Sequence, residues 1–320
     1  MEAGVLNAVQ DVSFTLEKGE TVCLVGESGC GKSLTSLAIM NLLPGKAQRT
    51  CQNILFQGQD ISQYSEQAMA NIRGKKMAMI FQEPMTSLNP SYTIGNQLEE
   101  TLLRHSNASR KVARDRAVYL LEKVGITGAG KRLQQYPHQL SGGLRQRVMI
   151  AMGLMCEPVL EIADEPTTAL DVTIQAQILS LLASLQQEMD MGMILITHDL
   201  GVVARMAHKV VVMYCGQVVE SGLAKRIFEA PLHPYTQGLL ECIPIPGKTS
   251  RETKLGTIPG LVPTPIGQLR GCAFSNRCAY VFEECTQVQI PLKEHDSQRA
   301  YRCLLSPEQC LHNAGAWQHG

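Results

Sequence analysis

The chain has 320 residues, of which 44% are apolar and 18% are charged, so its composition allows a buried core like that of an ordinary globular protein. Its length favours one large domain and a smaller one, because domains usually hold about 100–200 residues. Lysine plus arginine and aspartate plus glutamate each number 29, and the zero net charge gives no global electrostatic reason to expect a nucleic-acid partner.

No apolar run reaches the roughly 18 residues of a membrane-spanning helix. The N-terminus has neither the basic start nor the apolar stretch of a signal peptide. Eleven cysteines in such a chain indicate a reducing compartment, where clustered thiols bind metal or stay free more often than they form disulfides.

The first half of the chain predicts a strand, a glycine-rich loop and a helix. Residues 21–25 form an apolar strand that ends in glycine, and residues 33–43 form a helix stopped by Pro44-Gly45. From about residue 96 to residue 153 the pattern is mostly helical and contains few strand signals. We interpret this stretch as a helical subdomain.

The second half continues the alternation of strands and helices. Apolar residues between 174 and 185 recur at helical spacing, and 193–197 reads as a short buried strand. Residues 210–213 and 218–219 predict a hairpin around a turn at 214–217. Together these elements favour an α/β core with a parallel sheet. The prolines in 243–270 predict a linker with extended segments.

The loop after the first strand fits the pattern G-x-x-x-x-G-K-[ST], whose glycines let backbone N–H groups turn inward around phosphate oxygens. The following helix adds its positive dipole end, Lys32 would hold the β and γ phosphates, and Ser33 would bind Mg²⁺. A glycine-rich turn that binds nothing is the alternative, which the flanking strand and helix disfavour. The loop comprises Gly26, Glu27, Ser28, Gly29, Cys30, Gly31, Lys32 and Ser33.

A further strand begins at Leu160 and ends in two carboxylates. Asp164 would bind the Mg²⁺ shell, and Glu165 would polarise an attacking water. An acidic loop after a strand is the alternative. With the phosphate loop, these carboxylates predict an enzyme that hydrolyses a nucleoside triphosphate.

The segment Leu140-Ser141-Gly142-Gly143-Leu144-Arg145-Gln146-Arg147 offers another anion site, because Ser141 can cap the next helix while the glycines expose N–H groups. It resembles the signature motif of the ATP-binding cassette (ABC) superfamily. In that superfamily the motif reaches across a dimer to the γ-phosphate on the partner's phosphate loop. Three further markers match in order: Gln82 the glutamine loop, Ala169-Leu170-Asp171 the D-loop, and His198 the switch histidine.

The resemblance implies a P-loop NTPase cassette of the α/β class, with a RecA-like parallel-sheet core, an antiparallel β edge and a helical subdomain. We expect it to span residues 1–242, with the subdomain at about 96–153. The implied catalytic residues are Lys32, Gln82, Glu165 and His198. The implied Mg²⁺ ligands are Ser33, Gln82 and Asp164. Outside the phosphate loop, the implied ATP contacts are Ser141, Gly142, Gly143, Asp164 and Asp171.

Residues 77–90, 163–173 and 233–236 resemble the ATP-binding subunits of oligopeptide and dipeptide importers, a branch that includes nickel, glutathione and D,D-dipeptide systems. The resemblance implies a peripheral protein on the cytoplasmic face of the bacterial inner membrane. It would close on ATP beneath two permease subunits, paired with a second homologous ATPase subunit or with its own copy. A separate solute-binding protein would deliver the solute, which the sequence does not name.

Four of the five cysteines in the tail at 271–320 have the spacing C-x5-C-x6-C-x17-C: Cys272, Cys278, Cys285 and Cys303. Four soft thiolates in a tail with little core of its own suggest that a metal centre folds it. The resemblance to the C-terminal extension of the peptide importers implies a 4Fe-4S cluster, with zinc or unligated thiols as alternatives. The scattered cysteines are interpreted as small apolar residues: Cys23, Cys30, Cys51, Cys156, Cys215, Cys242 and Cys310.

Two features depart from the family pattern. Glu161 replaces an apolar residue in a strand covered on both faces, so its carboxyl must find a partner, stay protonated or reach an edge. Relatives also carry an aromatic residue that stacks on adenine, whereas no aromatic residue precedes Phe14 in this chain. A regulatory or weakly active subunit is therefore one alternative. A soluble ABC ATPase acting on nucleic acid is another, which the neutral charge disfavours.

Overall fold

The computed structural model describes residues 5–168, 170–243, 256–264, 266–267 and 270–313. The predicted D-loop residue Ala169 and most of the predicted linker lie outside these residues. The chain divides into two compact units: the first comprises Met1–Thr15, Thr21–Thr35 and Thr197–Gly320, and the second comprises Leu16–Glu20 and Ser36–Ile196. Within the described ranges, every helix is too short or too polar to cross a bilayer.

Strands and helices alternate along much of the chain. The strands are β1 (Thr21–Val25), β2 (Leu55–Phe56), β3 (Gln59–Asp60), β4 (Met77–Ile80), β5 (Leu160–Asp164), β6 (Gly192–Thr197), β7 (Lys209–Tyr214), β8 (Gln217–Leu223), β9 (Lys293–Asp296) and β10 (Arg299–Tyr301). The α-helices are α1 (Lys32–Ile39), α2 (Glu66–Ala70), α3 (Pro84–Ser87), α4 (Ile94–His105), α5 (Arg110–Lys123), α6 (Ala129–Arg132), α7 (Gly142–Gly153), α8 (Val172–Met189), α9 (Leu200–Met206), α10 (Ala224–Glu229), α11 (Pro234–Glu241), α12 (Glu284–Gln287) and α13 (Pro307–Asn313). Short 3-10 turns occupy Pro137–Gln139, Leu154–Cys156 and Ser275–Arg277.

The second unit contains a parallel sheet in which β5 lies between β4 and β6. All residues of β5 and β6 are buried, as expected for parallel strands that are covered on both faces. Hydroxyl side chains begin two of the helices: Thr93 accepts from the N–H of Asn96 at the start of α4, and Ser109 accepts from Val112 at the start of α5.

The first unit contains the strand order β1-β7-β8-β10-β9. Strand β7 is parallel to β1 and antiparallel to β8, and the two-residue turn of that hairpin is Cys215-Gly216, both with positive φ. The predicted turn at 214–217 was therefore too wide, because Tyr214 and Gln217 pair as strand residues.

The tail extends the sheet of the first unit, which its sequence did not predict. Strand β10 pairs antiparallel with β8, and β9 pairs with β10. Tyr301, Cys303 and Cys310 form a buried cluster with Leu232, and Phe274 is fully buried. The apolar side chains of the tail thus share a core with α11 and β8.

Helix α1 ends earlier than predicted. The sequence suggested that it runs to residue 43, whereas it stops at Ile39. Asn41 takes a left-handed conformation with φ 53°, which ends the helical dihedrals before Pro44 is reached. The other predicted elements are confirmed: β1 has the predicted bounds, α8 contains the apolar series from 174 to 185, and β6 contains 193–197.

Candidate functional site

The phosphate loop follows β1. At two positions of the loop, neighbouring backbone lies so close that only glycine fits. A side chain at Gly26 would place its Cβ 2.2 Å from the carbonyl oxygen of Met213, and one at Gly31 would lie 2.5 Å from that of Ala8. Both glycines also have positive φ, at 147° and 96°. The motif spacing is thus dictated by the backbone packed around the loop.

Lys32 lies against the loop that it terminates. Its Nζ donates to the carbonyl oxygens of Gly26 at 2.8 Å and Glu27 at 3.0 Å, and the residue is 5% exposed. Cys30 is buried beside it, and burial raises the pKa of that thiol, so it behaves as the small apolar residue predicted. The lysine charge is therefore held against the backbone of the phosphate loop.

The carboxylates stand at the end of buried β5. Asp164 is the last residue of the strand and is 5% exposed. Glu165 follows with φ 44°, an uncommon value for a residue with a side chain, and such strain concentrates at functional sites. Its Oε2 accepts hydrogen bonds from Gln82 Nε2 at 3.2 Å and Thr168 Oγ1 at 2.9 Å. The structure thus joins two predicted site residues that lie 83 positions apart.

The signature segment forms the start of α7. Ser141 is the N-cap, and its Oγ accepts from the N–H of Leu144 at 3.4 Å. Gly142 and Gly143 form the first turn, and a Cβ on Gly143 would lie 3.0 Å from Ile174. Asp171 occupies the N-cap position of α8 and is exposed. Both helix starts therefore present N–H groups where an anion can bind.

His198 directly follows β6 and is exposed. The next residue, Asp199, caps α9 by accepting from the N–H groups of Gly201 and Val202. This cap fixes the turn between β6 and α9, which contains His198. His198 and the phosphate loop belong to the first unit, whereas Gln82, Asp164 and Glu165 belong to the second.

The four tail cysteines line one cavity in the first unit, together with Phe274 and His233. The backbone N–H of Cys272 donates to the carbonyl of Cys285 at 2.7 Å. Burial raises the pKa of Cys272 to about 11 and that of Cys278 to about 12. A bound cation would counter this effect, because thiolates are the form that ligates metal.

Among the described residues, no group of three or more His, Cys, Asp or Glu side chains is arranged to hold a metal ion. The four thiols that line one cavity are of the donor type that ligates both iron-sulfur clusters and zinc.

Cys310 is not the bystander that its isolated position suggested. It donates a hydrogen bond to Cys303, and this contact lowers the pKa of the Cys303 thiol against the effect of burial. The pKa of Cys310 is correspondingly raised. A fifth thiol therefore supports the last of the four cysteines.

Two residues that the sequence did not assign to the site contact the phosphate loop. Arg277 forms an ion pair with Glu27, and the hydroxyl of Tyr235 accepts from the N–H of Glu27 at 2.9 Å. Both belong to short segments, Asn276-Arg277-Cys278 and His233-Pro234-Tyr235, which in the sequence served only to indicate the resemblance to the family. Because both residues lie far from Glu27 in the sequence, the sequence alone did not indicate that they contact it.

Glu161 occupies the middle of the parallel sheet and is 1% exposed. Neither carboxyl oxygen has a hydrogen-bond partner among the described residues, and a Cβ on Gly153 would lie 3.0 Å from Oε1. Burial raises the pKa of Glu161 to about 8. Of the three outcomes considered from the sequence, the structure selects the protonated carboxyl.

Two family models match this chain. The family model described as "ABC transporter" matches residues 9–168, and that described as "Oligopeptide/dipeptide transporter, C-terminal region" matches residues 219–285. The oligopeptide transport ATP-binding protein AppD of Bacillus subtilis is 51% identical over 303 residues, covering 94% of this chain and 92% of that protein. The dipeptide transport ATP-binding protein DppD of Escherichia coli is 48% identical over 302 residues, with coverage of 94% and 92%.

A solved dimeric ATP-binding cassette, in a post-hydrolysis state bound to ADP and phosphate, is similar in fold. Its TM-score is 0.61 at 27% identity, and the match covers 68% of this chain and 90% of that one. The cassette cbiO1 from Clostridium perfringens gives a TM-score of 0.59 at 28% identity, covering 70% of this chain and 85% of that one.

Proposed function

Since this chain belongs to the ABC transporter family and carries the C-terminal region of its oligopeptide/dipeptide transporters, we propose that it is the ATP-hydrolysing subunit of a peptide importer. The predicted α/β fold class, a P-loop NTPase cassette with parallel and antiparallel strands, is confirmed. The observation that carries the proposed chemistry is the carboxylate of Glu165, held by Gln82 and Thr168 at the end of a buried strand.

The residues of the phosphate loop supply the binding of ATP in this proposal. Lys32 and the loop N–H groups hold the β and γ phosphates, and the glycines keep the backbone close enough to do so. Ser33 and Asp164 offer the hard oxygen donors that Mg²⁺ prefers, with Gln82 as a further ligand. Bound Mg²⁺ would neutralise charge on the phosphates.

Glu165 would orient and polarise the attacking water, and Gln82 would hold its carboxylate until nucleotide arrives. His198 would donate a hydrogen bond toward the γ-phosphate from the turn before α9. Lys32, which binds the phosphates in this proposal, would also stabilise the charge that develops on them during hydrolysis.

The signature residues Ser141, Gly142 and Gly143, with Asp171, would act on ATP held by a second ATPase subunit. We propose that the two subunits work beneath two permeases at the cytoplasmic face of the bacterial inner membrane, with a solute-binding protein delivering the peptide. The names of the relatives support the peptide class of solute and do not distinguish dipeptides from longer ones.

A Glu165→Gln variant tests the catalytic role. We expect hydrolysis by the chain, assembled with its partner subunits, to fall by about 10²–10⁴-fold, because the amide cannot accept the proton of water. ATP binding should persist, which equilibrium binding would show. Glu229→Gln removes an exposed carboxylate on α10 and serves as the matched control. Hydrolysis at the wild-type rate in Glu165→Gln would remove Glu165 from catalysis.

We further propose that Cys272, Cys278, Cys285 and Cys303 hold a 4Fe-4S cluster. The supporting observation is that all four line one cavity. Anaerobically purified protein should be brown and contain about four irons per chain. Cys278→Ser should lose this absorption, whereas Cys51→Ser, outside the tail, should retain it. A colourless protein with one zinc per chain would contradict the cluster.

A further inference from the structure

The phosphate loop contains an acid at its second position. Glu27 lies between Gly26 and Ser28, in a loop whose N–H groups and lysine attract anions. Its side chain is 31% exposed, so its charge is only partly screened by water. An unpaired carboxylate at this position would repel a polyphosphate, and the repulsion is stronger near protein than in bulk solvent.

Arg277 neutralises that acid. Its Nη1 donates to Glu27 Oε2 at 2.7 Å, and its Nη2 donates to Oε1 at 3.0 Å. This is the two-pronged geometry in which a guanidinium binds a carboxylate most strongly. The side chain of Arg277 is 2% exposed, so the pair differs from the weak ion pairs of protein surfaces.

The remaining contacts of Arg277 fix its position. Its Nε donates to the carbonyl of Pro259 at 2.8 Å, and Nη2 also donates to that of Ile258 at 3.0 Å. The guanidinium lies over the rings of Tyr214, at 5.8 Å, and Phe274, at 6.0 Å. The position of the arginine is therefore held by several contacts in addition to those with Glu27.

The backbone of Glu27 is held from the same region. Its N–H donates to the hydroxyl of Tyr235, whose ring packs 4.6 Å from that of Tyr214 and 5.3 Å from that of Phe274. Phe274 and Arg277 both lie between Cys272 and Cys278. One short segment of the tail thus supports both the side chain and the main chain of Glu27.

We propose that Arg277 is a positioning residue for nucleotide binding, which cancels the charge of Glu27 and fixes it, so that the Cys-rich tail prepares the phosphate loop for polyphosphate. This inference rests on the proposed function, because it requires that the loop binds ATP. Neither the family models nor the names of the relatives assign this role to the tail.

The test measures the dissociation constant of Mg-ATP for the full chain by titration calorimetry. Arg277→Met should weaken binding by about tenfold, because it leaves a carboxylate beside the phosphates. The double variant Arg277→Met/Glu27→Gln should recover most of that loss, because the repelling charge is then absent. A purely structural role of Arg277 would not produce this recovery, since the double variant lacks the same contacts.

Arg302→Met is the matched control. Arg302 is another buried arginine of the tail, and it donates to Val218, Ile290 and Asp11, outside the phosphate loop. Its loss should lower the midpoint of thermal unfolding while the affinity for Mg-ATP stays at the wild-type value. If Arg277→Met does not fold, Arg277→Lys keeps the charge but loses the two-pronged contact, and its affinity should be only a fewfold weaker.

Wild-type affinity in a folded Arg277→Met variant would overturn the inference and leave the proposed function standing. A double variant as weak as Arg277→Met would overturn it too, because charge would not be the cause. For Arg277→Lys, a loss as large as tenfold would contradict neutralisation by charge. A wild-type chain that does not bind Mg-ATP would contradict the proposed function itself.

Discussion

Glu161 is a buried acid in the middle of a parallel sheet, and no described residue pairs with its carboxyl. The sequence already showed that Glu161 is unusual, because this charged residue interrupts an apolar strand between Leu160 and Ile162. The sequence could not decide its outcome, which depends on what covers the side chain. Helix α7 ends at Gly153 against the carboxyl and supplies no donor, so protonation is the remaining way to bury the group.

Replacing Glu161 by leucine should stabilise the fold in a pH-dependent manner. The pKa of Glu161 is raised from 4.5 to about 8, so the folded state binds the proton more tightly than the unfolded state. The stability of the wild type therefore falls as pH rises from about 4.5 to 8 and then levels off. Urea unfolding at pH 5, 6.5 and 8 should show a gain for Glu161→Leu that grows to several kcal/mol, on the order of 1.4 per pH unit.

Glu122→Leu provides the control for this series. Glu122 lies on α5 and is exposed, so its replacement should change the free energy of unfolding little and equally at each pH. A Glu161→Leu gain that is constant from pH 5 to pH 8 would show that the carboxyl titrates at its ordinary pKa in the folded state.

The β9–β10 hairpin illustrates what sequence could not supply at the scale of an element. Strand β9 reads Lys-Glu-His-Asp, a polar run with none of the apolar alternation that predicts strands, because it lies at the edge of the sheet. Strand β10 has only three residues, Arg-Ala-Tyr. Strand β10 is set by pairing with β8, and β9 is set by pairing with β10, rather than by local propensity.

A buried ion pair joins β10 to β8, and its loss should be severe. Arg299 Nη2 donates to Glu220 Oε1 at 2.7 Å, and their side chains are 6% and 0% exposed. Arg299→Met leaves the Glu220 carboxylate to the N–H groups of Leu232 and His233, and should lower the free energy of unfolding by about 3–5 kcal/mol. Urea titration measures this change.

The exposed ion pair between Arg226 and Asp296, the last residue of β9, provides the comparison for Arg299→Met. Its side chains are 47% and 35% exposed, so Arg226→Met should cost less than about 1 kcal/mol. Adding Glu220→Gln to Arg299→Met should recover part of the stability, because the buried charge is removed. Equal losses in the two arginine variants would show that the burial of the Arg299 pair carries no extra stability.

At the scale of the whole molecule, the motifs predicted the fold class correctly. Gly26 to Ser33, Asp164-Glu165 and the signature segment identified the cassette because their chemistry requires fixed spacing. The division into two units follows no single boundary, since the chain passes between them several times. Zero net charge is compatible with the proposed anion site, because Lys32 and backbone N–H groups would meet the phosphate charge locally.

The contact between Glu27 and Arg277 spans 250 residues, and this separation orders events during synthesis. At about 5–20 residues per second, a ribosome completes the phosphate loop roughly 13–50 seconds before it reaches Arg277. During that interval the nascent loop carries the bare charge of Glu27. An incomplete polypeptide released before this point would lack the arginine that, in our proposal, neutralises Glu27, and it would bind nucleotide more weakly than the complete chain.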